Sequence, residues 1–223
     1  MCFSATGSFA LSAALSAIGV VSLTRASSRP HRMLAGVPLI FAVQQAAEGT
    51  VWLTTDGGHA ALNRAAVSIF LGIAFVVWPI WLPLALMRVE RNTSRKRVLR
   101  AAFWCGCFVA TGAALLIVRL HPEPQVVGHS IGYRYRGSEH APTLLLYLLA
   151  YVVPSVTPFF VSTASAARWM GSLLVVSLAV SALVQRGALT SVWCFFAAVL
   201  SGFMLLAVDR DQRRGSGPAL RTT

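Results

Sequence analysis

Residues 66–87 read AVSIFLGIAFVVWPIWLPLALM and contain no charged side chain. An α-helix needs about 20 mainly apolar residues to cross the hydrocarbon core of a bilayer. Because lipid offers no water to backbone groups, a chain segment that crosses it is expected to be helical. This stretch therefore predicts a transmembrane helix, and it decides the class of the protein.

The composition of the whole chain agrees with that prediction. Of 223 residues, 56% are hydrophobic and 12% are charged, whereas soluble domains carry about 25% charged residues. The net charge of +12 comes from basic residues in short runs between apolar segments. That pattern is typical of membrane proteins and argues against nucleic acid as a partner. We therefore expect a multi-pass protein of the inner cell membrane, with the lipid bilayer as its partner.

Seven segments have the length and apolarity of a membrane span, so we predict an all-α bundle of seven transmembrane helices. The bundle forms one domain over 1–208, and a polar tail, 209–223, is predicted to be disordered and cytoplasmic. Of the 19 Lys and Arg residues, 14 fall on the side that includes this tail, which predicts an outer N-terminus and a cytoplasmic C-terminus. The predicted spans are about 4–24, 33–53, 66–87, 101–118, 142–162, 169–185 and 190–208.

Glu48 is the one acidic residue of the seven in the chain that lies inside a predicted span. Gln44, Gln45 and Trp52 lie three or four residues away, on the same broad face of the helix. An ionisable residue inside the membrane usually faces the bundle interior and is a candidate for binding or proton transfer. The alternative is a packing role, in which buried polar side chains hold neighbouring helices together.

Two predicted spans carry a pair of prolines at the same spacing. Pro79 and Pro83 lie in WPIWLP, and Pro154 and Pro158 lie in VPSVTP. Each proline removes a backbone hydrogen bond and bends its helix. The freed carbonyls are tolerated where protein, polar side chains or water satisfy them. The four residues therefore predict a kinked bundle that could hold a cavity, or kinks with no functional role.

Two cysteines are candidates for a metal or thiol site. Cys2 begins the first predicted span and Cys194 lies about one turn into the last, both on the predicted outer side. Together with Glu48, and with His129 from the long outer loop, they could bind a soft metal. The two thiols could instead form a disulfide, or simply pack in the bundle. Retinal is excluded as a cofactor, because the single lysine, Lys96, lies in a predicted cytoplasmic loop.

Four motifs resemble one family of proteins. They are MCFSATGSF (1–9), QQAAEGTVW (44–52), WPIWLP (78–83) and SVWCFFAAVLS (191–201). Their identity and order are similar to those of an uncharacterised prokaryotic membrane-protein family whose members begin Met-Cys-Phe-Ser-Ala. The resemblance covers nearly the whole chain and implies a multi-spanning protein of seven helices. It implies no activity.

Three functions are compatible with these residues. The first is a bundle that binds or transports a small molecule or ion in an outer-half polar cavity around Glu48, which changes protonation as the coupling site. The second is a membrane-embedded enzyme that depends on a metal or on thiols and uses Cys2, Cys194 and Glu48. The third is a sensory or structural membrane subunit in which the polar side chains only fix helix packing. Catalysis is left open, and the first function explains Glu48 and the paired prolines best.

Overall fold

The structure is a computed structural model that describes residues 4–26, 28–127, 130–135, 141–163 and 165–184, together with Trp193, Ala197, Ala198 and Ser201. Over these residues the chain is helical apart from short turns and one β-hairpin. The helices are α1 (Ala5–Arg25), α2 (Arg29–Ala35), α3 (Val37–Thr54), α4 (Ala60–Gly72), α5 (Trp78–Val89), α6 (Thr93–Leu120), α7 (Ala141–Val161) and α8 (Ser165–Val184). The hairpin strands are β1 (Glu123–Val127) and β2 (Ser130–Arg134).

Three of the described helices are long and apolar enough to cross a membrane, as expected for a helical membrane protein. They are Ala5–Arg25, Ala60–Val89 and Thr93–Leu120, and Leu149–Val161 and Ala167–Ser181 are shorter apolar helices. From the last predicted span the structure describes Trp193, Ala197, Ala198 and Ser201, each of them helical and buried. The tail 209–223 lies outside the described residues. The number of seven spans and the orientation stay predictions.

The second predicted span, 33–53, is divided in the structure. Helix α2 ends at Ala35, Gly36 forms a turn, and α3 begins at Val37. Pro38 explains the break, because it has no N–H to donate to the carbonyl of Leu34, four residues earlier. A proline is well tolerated in the first turn of a helix, where its N–H would have no partner in the helix.

The third predicted span, 66–87, belongs to a longer continuous helix. Helix α4 passes into one π-helical turn, Ile73–Val77, and then into α5. The fourth, 101–118, also extends beyond its predicted bounds, since α6 begins at Thr93. The basic residues from Arg95 to Arg100 therefore lie on the first two turns of α6, where the sequence analysis had placed a loop.

The predicted polar loop 119–141 contains a two-stranded antiparallel hairpin. Gln125 pairs with Gly132, and Val126 pairs with Ile131. β-Branched residues favour strands, and this short β-branched pattern is the signal that the sequence offered. Ile131 is buried, and the ring of Tyr133 stacks on Phe70 of α4 at 5.2 Å between centroids. The hairpin therefore lies against one end of the helices.

Helix α3 packs along α1 and against α4, while α5 packs on α6 and α7. Glycines permit the closest approaches between α1 and α3. A Cβ at Gly49 would lie 2.9 Å from the ring of Phe9, and one at Gly19 would lie 2.6 Å from the Leu39 side chain. Small residues at such interfaces let membrane helices approach closely. The polar residues of α3 are enclosed by these contacts.

Candidate functional site

The three polar side chains of α3 are fully buried. Gln44, Gln45 and Glu48 each have 0% relative exposure, which agrees with the expectation that they face the bundle interior. The Gln45 amide Nε2 donates a hydrogen bond to Glu48 Oε2 at 3.2 Å. Burying polar groups is costly unless they find partners. The hydrogen-bond partners of these residues therefore indicate whether they hold helices together or form a binding site.

Gln44 is only partly satisfied. Its Oε1 accepts a hydrogen bond from the indole Nε1 of Trp78 at 3.0 Å, and the Trp78 ring lies 4.2 Å from the ring of Phe41. Its amide Nε2 has no hydrogen-bond partner among the described residues. More than nine in ten buried polar groups in folded proteins do have one. An orphan amide donor beside a buried carboxylate is the pattern expected where a ligand or water binds.

Two further buried hydroxyls on helices share this property, as does that of Ser130 in β2. The Oγ atoms of Ser8 in α1 and Ser155 in α7 have no partner within the described part of the chain. Phe9 lies against Gly49, so the neighbouring Ser8 is close to the level of Glu48 along α3. Ser155 lies on α7, one turn beyond Tyr151. We refer to Gln44, Gln45, Glu48 and Ser8 as the buried polar band.

The π-helical turn positions Trp78 in this band. The N–H of Trp78 donates to the carbonyl of Ile73, five residues back, and not to Ala74. Pro79 has no N–H, so it cannot donate to Ala74 either. The Tyr151 hydroxyl of α7 fills the gap, donating to the Ala74 carbonyl at 2.8 Å. Single π-helical turns inside α-helices occur frequently at functional sites.

The predicted kink prolines meet at a glycine of α6. Pro83 has no N–H for the carbonyl of Pro79, and Gly106 packs directly on that carbonyl. A Cβ at Gly106 would overlap the Pro79 carbonyl and lie 3.3 Å from Cβ of Pro154. The structure therefore brings Pro79 and Pro154 to one close contact. Pro158, inside α7, accepts a hydrogen bond from Ser162 N at 3.1 Å through its carbonyl.

The remaining predicted site residues are placed differently. Trp52 is half-buried and packs against the apolar cluster that α3 and α4 form. Cys2, Cys194 and His129 lie outside the described residues. Within the described part, no group of three or more His, Cys, Asp or Glu side chains is arranged to hold a metal ion. The metal and thiol hypothesis is therefore untested by the fold.

A pocket at the C-terminal end of α3 lies further along that helix than Glu48. Its wall on that helix is formed by Thr54, and it has a volume of about 840 Å³. Six residues separate Thr54 from Glu48, which corresponds to about 9 Å along a helix. The predicted cavity around Glu48 therefore stays a prediction.

The sequence analysis missed Glu90, which it assigned to a loop. The side chain is 2% exposed. Its Oε1 accepts from the N–H groups of Arg91 and Asn92 at 2.9 and 3.0 Å, and Oε2 accepts from Thr163 N at 2.8 Å. Burial raises the pKa of Glu90, but the hydrogen bonds from Asn92, Thr163 and Arg91 outweigh it and hold the pKa below its ordinary value.

Glu90 ties two turns of the bundle together. It joins the turn between α5 and α6 to the turn after α7, and Arg95 Nη1 adds a 2.7 Å hydrogen bond to the carbonyl of Val161. In the sequence, Glu90 stands two residues before Asn92, which caps α6 through a bond from Arg95 N. The signal for Glu90 that the sequence contained was an acidic residue close to the N-cap of a helix. Its partner 73 residues away was not predictable from spacing.

The class that the fold indicates is a helical membrane protein, since three of the described helices have the length and apolarity needed to cross a bilayer. The model of the "Family of unknown function (DUF6629)" matches residues 1–219, so the chain belongs to that family. This agrees with the resemblance drawn from the four sequence motifs. No curated protein and no solved structure matches the chain.

Proposed function

We propose that this protein is a membrane bundle that binds and transports a small polar molecule or ion at the buried polar band. The observation that carries the proposal is the unsatisfied amide of Gln44, 0% exposed, on the same helix face as the buried Glu48. A buried hydrogen-bond donor that is left without an acceptor destabilises the folded protein by about 1–3 kcal/mol. A bound polar ligand would remove that cost, whereas a purely structural band gains nothing from an orphan donor.

In the proposed mechanism Gln44 and Glu48 contact the ligand, and Glu48 releases or takes up a proton as the ligand binds. Gln45, which donates to Glu48, orients the carboxyl group. Carboxyl groups of this kind act as proton relays in pumps and transporters. The cavity would form in the outer half of the membrane, with Trp52 at its edge.

The π-helical turn between α4 and α5 supports the transport part of the proposal. Secondary transporters bind their substrates near interrupted helices, where the backbone is freed from regular hydrogen bonding. Here the π-helical turn Ile73–Val77 immediately precedes Trp78, the partner of Gln44. A change in that turn would move Trp78 and alter the environment of Gln44. The π-helical turn would thus couple ligand binding to the geometry of the helix.

The experiment is a stabilisation screen of the detergent-purified protein against small polar solutes and inorganic ions. A solute that binds the folded state stabilises it by RT ln(1 + L/Kd), where L is the free solute concentration, so the melting temperature rises with the logarithm of that concentration once it exceeds Kd. We expect the stabilisation to be lost in Glu48→Gln and in Gln44→Leu. Asp56→Asn is the matched control, because Asp56 is an exposed acid in the turn after α3. Equal stabilisation of wild type and Glu48→Gln would remove Glu48 from the mechanism.

A further inference from the structure

A second polar feature lies at the end of the bundle predicted to be external. It is the pocket of about 840 Å³ described above, which is bounded by the turn after α3, the start of α4, the end of α6 and the start of β1. Sites for small molecules usually have volumes of about 300–1,000 Å³. The pocket is therefore large enough for an organic ligand.

The charges around this pocket are mainly positive. Arg64 of α4 and Arg119 of α6 both line it, against one carboxylate, Glu123. Guanidinium groups stay charged in proteins and match the geometry of phosphate and carboxylate oxygens. The two arginines come from helices far apart in sequence, so the fold and not a local basic run brings them to the same pocket.

The start of α4 adds a second, independent attraction for an anion. Ala60, its first residue, lines the pocket, and the helix is 13 residues long. Its first turn has no acidic residue, and its N-cap makes no side-chain hydrogen bond. The first N–H groups of a helix lack partners within it, and with the helix dipole they favour anions.

The end of α3 also lines the pocket, and its hydroxyl groups are bonded to its own backbone. The hydroxyls of Thr54 and Thr55 donate to the carbonyls of Thr50 and Val51, both at 2.7 Å. The Asn63 amide donates to Thr54 Oγ1 at 2.9 Å and fixes the side of the pocket. The Val51 carbonyl is thus paired, while the negative end of α3 and the exposed Asp56 beside it are the charges that Arg64 and Arg119 must outweigh.

The chain also adopts an uncommon backbone conformation at this pocket. His121, which lines it, has φ 45°, and it is the one non-glycine residue with positive φ in the described part of the chain. This left-handed residue ends α6 and turns the chain into β1. Non-glycine residues of this kind are often found at functional sites. Its imidazole adds a further hydrogen-bonding group to the rim.

We propose that this pocket binds a phosphate-bearing ligand through Arg64, Arg119 and the start of α4. The ligand is either a soluble organic phosphate or the phosphate of a phospholipid headgroup, since both present the same oxygen atoms to the arginines. The site is separate from the buried polar band and does not depend on its proposed function.

The test uses the full chain in detergent, with glycerol phosphate as the soluble probe and sodium chloride at matched ionic strength as the reference. We expect a saturable rise in melting temperature with glycerol phosphate for wild type. Arg64→Gln and Arg119→Gln should each weaken the apparent affinity by about tenfold or more, since a charge-assisted contact contributes about that much. The double variant should show no saturable rise. Arg168→Gln, an exposed arginine of α8, is the control and should respond as wild type.

A second arm identifies the source of the phosphate. In nanodiscs of phosphatidylglycerol and phosphatidylcholine, lipid retained on the protein is counted by native mass spectrometry. Phosphatidylglycerol retained by wild type and lost in the double variant assigns the site to a lipid, whereas a response to glycerol phosphate alone assigns it to a soluble ligand. If the double variant behaves as wild type toward both probes, or if neither probe binds wild type, the proposal is wrong. Glu48→Gln should keep the response, which separates this test from that of the polar band.

Discussion

Tyr151→Phe is the substitution that tests the π-helical turn Ile73–Val77 most directly. It removes one hydroxyl and leaves the ring, which packs edge-on to Phe75 at 5.3 Å and to Trp193 at 5.8 Å. The lost hydrogen bond is the 2.8 Å contact with the Ala74 carbonyl. No helical N–H replaces it, because Trp78 N bonds to Ile73 and the next residue is a proline.

The magnitude follows from that orphan carbonyl. Interhelical side-chain hydrogen bonds in membrane proteins contribute about 0.6 kcal/mol on average, with a maximum near 1.7 kcal/mol. A buried acceptor left without any donor costs about 1–3 kcal/mol. We therefore expect Tyr151→Phe to lower the free energy of unfolding by about 1–2 kcal/mol. This is near the upper end of the range for interhelical hydrogen bonds in membrane proteins.

Tyr147→Phe provides a matched control on the same helix. The Tyr147 hydroxyl donates to the Val109 carbonyl at 3.3 Å, and Val109 lies within the uninterrupted helix α6. That carbonyl keeps its helical donor when the hydroxyl is removed. The loss should be about 0.6 kcal/mol or less, the average for such bonds.

The assay is reversible unfolding in mixed micelles by titration with sodium dodecyl sulfate, followed by tryptophan fluorescence. Wild type, Tyr151→Phe and Tyr147→Phe are compared at one pH and one lipid composition. Equal losses for the two variants, or a loss below about 0.5 kcal/mol for Tyr151→Phe, would refute the claim that the π-helical turn leaves Ala74 dependent on Tyr151.

Three further predictions use the same reasoning. Gly106→Ala should lower the free energy of unfolding by about 1–3 kcal/mol because its methyl overlaps a backbone carbonyl, while Gly112→Ala on the same helix meets nothing within 4 Å and should be neutral or stabilising in the same titration. Folding lowers the pKa of Glu90, so its contribution to stability is present above the ordinary value of 4.5 and is lost as the pH falls through the folded value. Glu90→Gln should therefore be less stable than wild type at neutral pH and should flatten the pH dependence of the melting temperature between about pH 6 and pH 3; parallel pH profiles for the two proteins would contradict this. Elemental analysis of the purified protein tests the metal-site hypothesis: near-stoichiometric metal in wild type that Glu48→Gln and Cys194→Ser lose would support it, and no metal in any of the three would leave Glu48 as a ligand-binding or packing carboxyl group.

The helical class could be predicted because it depends on composition along the chain. A run such as 66–87 has no stable conformation in lipid other than a helix, so its apolarity was sufficient. The break at Gly36 was also readable in principle, since Pro38 cannot continue the preceding helix. The hairpin was harder, because its strands are short and Ile131 is buried only through contact with helices distant in sequence.

The residues of the candidate site could likewise be predicted only in part from the sequence. Glu48 and the two glutamines were recognisable because polar residues are expensive in a membrane span. Their partners were not, since Trp78 reaches Gln44 only after a π-helical turn that no local pattern predicts. The hydrogen bond between Glu90 and Thr163 depends on two turns that the bundle brings together. Long-range contacts of this kind follow from packing and not from spacing.

The central claim is that Glu48 changes protonation when a ligand binds in the polar band. The most direct measurement is the pH dependence of the apparent affinity for a stabilising solute identified by the screen, in wild type and in Glu48→Gln. If binding is linked to one proton on Glu48, the wild-type affinity changes by up to about tenfold per pH unit, and the variant either fails to bind or binds with no pH dependence. The same pH dependence in both proteins would contradict the account.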